Sequence, residues 1–90
     1  MKPPDIWMRM GAYVHQDLLQ QFPDLISGLI DFLSEEPAGQ RVELQKYCDF
    51  LLRHPERIAA AWNGTDTNLL LSPVGAKQLV EDVRTYLRTV

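Results

Sequence analysis

Ninety residues with a formal net charge of -3 leave room for one hydrophobic core and not for two. At 46% apolar and 23% charged residues, the composition is that of a folded domain rather than a disordered segment. The single cysteine, Cys48, excludes an internal disulfide, and the acidic balance disfavours a protein whose affinity comes from neutralising phosphates.

Taken in chain order, the first predicted element runs roughly from Ile6 to Gln20, with Ile6, Met10, Tyr13, Val14 and Leu18 near helical spacing. Gly11 weakens it by about 1 kcal/mol relative to alanine, which suits a place where a neighbouring helix comes close. A second helix starts at Pro23 and buries Leu25, Ile26, Leu29, Ile30 and Leu33. Asp24 suits its positive end, whereas Glu35 and Glu36 oppose the dipole at the other, before Pro37 and Gly39 stop it. The third helix, about Gln40 to Arg53, carries a stripe of Leu44, Tyr47, Cys48, Leu51 and Leu52.

A brief fourth helix covers Pro55 to Trp62 and closes at Asn63-Gly64. Residues Thr65 to Leu71 read as a loop, extended through Leu69-Leu70-Leu71. Ser72 as N-cap and Pro73 in the first turn open the last helix, whose stripe is Leu79, Val80, Val83, Tyr86, Leu87 and Val90. No segment alternates with period 2 long enough to be a strand. The expected fold is all-α, a compact single-domain bundle of about five short helices.

Tyr13, Tyr47, Tyr86 and Trp62 fall on helical stripes and are expected in the core. Phe32 and Phe50 lie beside their stripes, and Trp7 is open between core residue and partner anchor. Catalytic chemistry finds little to work with. The only histidines, His15 and His54, lack a paired nucleophile, and Cys48 sits on an apolar stripe as a buried thiol would. His15 and Asp17 are two apart and point to different sides of a helix, so they make no metal site. No glycine-rich phosphate loop is present. No apolar run is long enough for a signal peptide or a membrane span, so the expected compartment is the cytoplasm and no membrane partner is expected.

Charge is uneven. Residues 1–40 hold six acids (Asp5, Asp17, Asp24, Asp31, Glu35, Glu36) against two bases, while residues 41–90 hold seven bases against six acids. Either the acids are ordinary solvated helix surface, or they form a face that meets a basic partner. The run Tyr13-Val14-His15-Gln16-Asp17, preceded by Gly11-Ala12, resembles the opening signature of the small helical immunity proteins of bacterial contact-dependent growth inhibition systems. Ile30-Asp31-Phe32-Leu33 followed by Ser34-Glu35-Glu36-Pro37 is similar to that family's second helix and its acidic exit. The order of later helices, with Trp62-Asn63-Gly64 before a loop and a last helix, fits over nearly the whole chain. Members often carry an aromatic after the His-Gln-Asp run, where this chain has Leu18.

The resemblance implies an immunity protein that binds and neutralises the toxin domain of a delivered effector, typically a nuclease, without catalysis. The candidate partner-binding residues are Tyr13, His15, Gln16, Asp17, Asp24, Asp31, Glu35 and Glu36, the last four standing in for phosphates. His15, Gln16 and Asp17 can equally brace neighbouring segments through the backbone. No catalytic residue, cofactor or metal is expected, and no nucleic-acid partner. The rival readings are a small helical adaptor or regulatory protein-binding module and, disfavoured by the charge balance, a DNA-binding antitoxin.

Overall fold

The computed structural model describes residues 1–15 and 17–90, and the backbone alone at Leu19. Helix α1 spans Asp5–Tyr13, α2 is the single turn Leu18–Gln21, α3 spans Leu25–Ser34 and α4 Ala38–Arg53. A 3-10 turn at Pro55–Arg57 leads into α5, Ile58–Asn63, and α6 spans Pro73–Arg88. The described residues contain no strand, so the chain is an all-helical globule.

The first helix is shorter than its apolar periodicity predicts, because the chain turns extended at Val14 (φ -79, ψ 104). The Val14 carbonyl leaves the helical ladder and instead accepts the Asn68 N–H at 3.2 Å. That bond ties the α1–α2 break to the loop before α6, and Leu18 begins a separate turn. The close approach at Gly11 is made by this same loop rather than by a helix. A Cβ on Gly11 would stand 2.1 Å from the Thr65 hydroxyl oxygen. Gly28 of α3 gives similar room to Leu18, whose methyl would lie 2.9 Å from a Cβ there.

Two helix starts differ from the sequence reading. Asp24, not Pro23, marks the entry to α3, its carboxylate accepting the Ser27 N–H at 2.8 Å. Helix α4 begins right after Pro37, whose carbonyl accepts from Gln40 and Arg41 N–H at 3.0 and 3.1 Å. Pro37 and Gly39 therefore start a helix as well as ending one. The α6 start is as expected, with the Ser72 hydroxyl accepting the Gly75 N–H at 3.1 Å.

The core gathers around two tryptophans. Trp7 and Trp62 are both fully buried and meet edge to face at 5.7 Å, and Tyr47 packs on Trp7 at 5.2 Å. Each indole N–H finds a carbonyl: Trp7 donates to Ala61 at 3.1 Å and Trp62 to Leu69 at 2.8 Å. Every buried polar side-chain atom among the described residues has such a partner. Trp7 is thus a core residue and no anchor for a partner. Tyr13, Tyr86, Phe32 and Phe50 are half-buried, and Val90 lies past the end of α6 at 61% exposure, off the stripe assigned to it.

The two longest helices, α4 and α6, pack together and are joined across their edge by an ion pair between Arg84 and Asp49. The loop from Gly64 to Ser72 is held by Asn63, whose side-chain amide donates to the Leu71 carbonyl at 3.0 Å. Its oxygen accepts the Leu71 N–H at 2.9 Å. Asn63 thereby satisfies both backbone groups of a residue that belongs to no helix or sheet. No helix among the described residues is long and apolar enough to cross a membrane.

Candidate protein-binding face

Helical spacing decides which acidic side chains share a surface. Asp31 of α3 and Glu35, its C-cap in near-helical backbone (φ -97, ψ -2), are four apart and fall on one side, and Asp24, the N-cap, comes seven residues before Asp31. The end of α1 brings Tyr13 to this face. Its ring leans on Phe32 at 5.1 Å, and its hydroxyl donates to the Asp31 carboxylate over a long 3.4 Å. Partial burial, reinforced by the negative Asp31 and Glu35, raises the Tyr13 phenol above its ordinary pKa. It therefore remains a donor throughout the neutral range.

His15 is exposed just beyond α1, and its Nδ1 accepts the Asp17 N–H at 3.3 Å. Its carbonyl accepts the Leu18 N–H at 2.9 Å, so His15 braces the turn that starts α2. Asp17 is exposed and its side chain makes no cap bond to that turn. Gln16 lies outside the described residues.

The four carboxylates offered as phosphate mimics divide into two kinds. Asp24 caps α3, and the bond from Ser27 holds its carboxyl below the usual range. Glu36 accepts from both terminal nitrogens of Arg9, at 2.7 and 3.0 Å, with its side chain only 12% exposed. Arg9 also donates to Asp5 at 2.7 Å, and these bonds, Glu36 first, raise its pKa further. Asp31 and Glu35 are exposed, and neither is in an ion pair among the described residues. The accessible charge of this face is therefore Asp31 and Glu35, with Asp24 at its far end.

This division makes a prediction. Glu36→Gln should lower stability by about 1 kcal/mol, a charge-assisted fork discounted because Arg9 is 40% exposed. Glu35→Gln should stay within about 0.5 kcal/mol of the parent. Urea denaturation of the two variants measures both, and equal losses would contradict the division.

Beside the acidic face lies a feature that the sequence did not announce. A cavity of about 310 Å³ opens between α3 and α6, floored by Ile26, Leu29, Leu71 and Leu79, with Asp24 and Asp82 on its rim. In the sequence Ile26, Leu29 and Leu79 read as ordinary core positions and Leu71 as part of a loop. The only hint was Gly75, which leaves the first turn of α6 without a side chain over the groove.

Among the described residues no group of three or more His, Cys, Asp and Glu is placed to hold a metal ion. Burial pushes the Cys48 thiol up to about 12, which leaves it a packing residue at neutral pH. Comparison of the chain with protein-family models, with curated proteins and with solved structures finds no match.

Proposed function

We propose that this chain is a non-catalytic inhibitor of the contact-dependent growth inhibition immunity type, binding a basic toxin domain in the cytoplasm through the face built on α3. The observation that carries the reading is the pair Asp31 and Glu35, exposed, four residues apart and without a cationic partner. Tyr13, the first residue of the run that resembles the family signature, lies against this pair. Two like charges on one helix face cost a few tenths of a kcal/mol in the free protein. An opposing patch of Lys and Arg removes that cost and gains from it, as a nuclease channel evolved to hold phosphates would. The inhibitor then works by occupying or covering that channel, and needs no chemistry of its own.

The direct test is co-purification with the toxin domain encoded beside this chain, followed by titration and a toxicity assay. Tight binding that abolishes toxicity supports the reading, and no binding removes it. The charge-steering part has its own test. Asp31→Lys with Glu35→Lys should slow association at least about tenfold at low ionic strength, with the difference shrinking near 1 M salt. Stopped-flow association rates at the two salt levels decide it, and an unchanged low-salt rate would remove the acidic face from the mechanism. Glu36 does not belong in that variant, because reversing it would break the Arg9 fork.

A further inference from the structure

We infer that the groove between α3 and α6 receives an aliphatic or aromatic side chain from a basic segment of the partner, with a Lys or Arg beside it reaching the acidic rim. The inference deepens the protein-binding reading above and rests on it. Its floor is aliphatic, from Ile26 and Leu29 on one side and Leu71 and Leu79 on the other. Leu70 and Val74, the chain neighbours of the lining residues Leu71 and Gly75, are 71% and 81% exposed. An apolar groove bordered by charge is a mark of interaction sites, and one of this size takes an anchoring side chain.

The rim settles the chemistry of the occupant. Asp24 and Asp82 flank the apolar floor, and neither is in an ion pair among the described residues. Gln78, also lining the groove, donates to Asp82 at 2.9 Å, which orients the carboxylate without neutralising it. A wholly apolar occupant would strip water from two carboxylates and give nothing back. A wholly cationic one would leave the floor wet. A segment alternating apolar and basic residues satisfies both, and the basic toxin surface proposed above is of that kind.

The experiment titrates the ¹⁵N-labelled full chain with three synthetic dodecapeptides: alternating lysine and leucine, the same with leucine replaced by serine, and the same with lysine replaced by glutamate. Only the first should bind saturably, with the largest amide shifts at Leu71, Gly75 and Gln78. Gly75→Phe is chosen to fill the groove from its α6 side, where a Cβ meets nothing closer than the Ser72 hydroxyl at 3.4 Å. Both Gly75→Phe and Asp82→Lys should weaken the peptide at least tenfold, while Asp66→Lys, an exposed carboxylate outside the groove, leaves the affinity near that of the parent. Circular dichroism of each variant checks that it is folded.

Binding by the serine or glutamate peptide as tight as by the first, shifts confined to the Asp31–Glu35 face, or no binding at all would overturn the inference. So would sedimentation showing a dimer that Gly75→Phe dissociates, since the occupant would then be a second copy. The two readings fail separately. A toxin domain bound equally by the parent and Gly75→Phe sinks the groove alone. A peptide seated in the groove of a chain that binds no toxin sinks the inhibitor and leaves the groove as a general docking site for basic segments.

Discussion

Trp62→Ala is expected to remove about 3–5 kcal/mol of stability, the range for deleting a fully buried aromatic side chain. A domain of ninety residues has only about 5–13 kcal/mol in total, so this one change takes a large share of it. Three losses combine at the site: the buried area, the edge-to-face contact with Trp7, and the indole bond to the Leu69 carbonyl. Trp62→Phe separates them. It keeps a ring in the core but takes away the shorter of two bonds to the Leu69 carbonyl, leaving only the Thr67 hydroxyl at 3.4 Å, and should cost about 1–3 kcal/mol. Urea midpoints at unchanged slope give both numbers. A loss below about 1 kcal/mol for the alanine variant would mean that the two-tryptophan core is not packed as described.

Gly11→Ala is the second large effect, and its sign is set by geometry against propensity. Alanine gains about 1 kcal/mol over glycine inside a helix. Here the new methyl would stand 2.1 Å from Thr65 Oγ1 and 2.4 Å from Thr65 Cβ, far inside contact distance. Thr65 cannot easily retreat, because it is buried and its hydroxyl donates to the Trp62 carbonyl at 2.7 Å. Overpacking of this kind costs about 1–3 kcal/mol, and with backbone displacement of the loop the net loss should be about 2 kcal/mol. Pairing the change with Thr65→Gly should recover more of it than pairing with Thr65→Ala, which removes the Oγ1 contact but keeps the Cβ at 2.4 Å. A double-mutant cycle measures the coupling. Stability unchanged or raised by Gly11→Ala alone would show that the loop does not sit against α1.

What the sequence made legible was whatever depends on near neighbours. The Ser72 cap, the Pro73 first turn and the stripes of α4 and α6 are local signals, and the helices follow them. The end of α1 was not legible, because Tyr13, Val14 and Leu18 keep helical spacing while the Val14 carbonyl is claimed by Asn68 from far along the chain. The burial of Trp7 was invisible for the same reason, its partners being Tyr47, Ala61 and Trp62. On the candidate face, the charge count could not tell Glu36 from Glu35. Only the approach of Arg9, 27 residues away, sets them apart. The groove was hidden because Ile26, Leu29 and Leu79 share the residue types and spacing of the core, while Leu71 comes to it from a loop.

The bond from Trp7 to Ala61 joins residues 54 positions apart, and that distance becomes a time when the chain is made on a ribosome. At about 5–20 residues per second, roughly 3–11 s pass between the synthesis of Trp7 and the synthesis of its cover. During that interval α4 can cover Trp7 through Tyr47, while the side that Trp62 and the Ala61 carbonyl close stays open. A nascent or prematurely terminated product ending before Ala61 would hold the Trp7 indole against Tyr47 alone, with one edge uncovered and its N–H without an acceptor carbonyl.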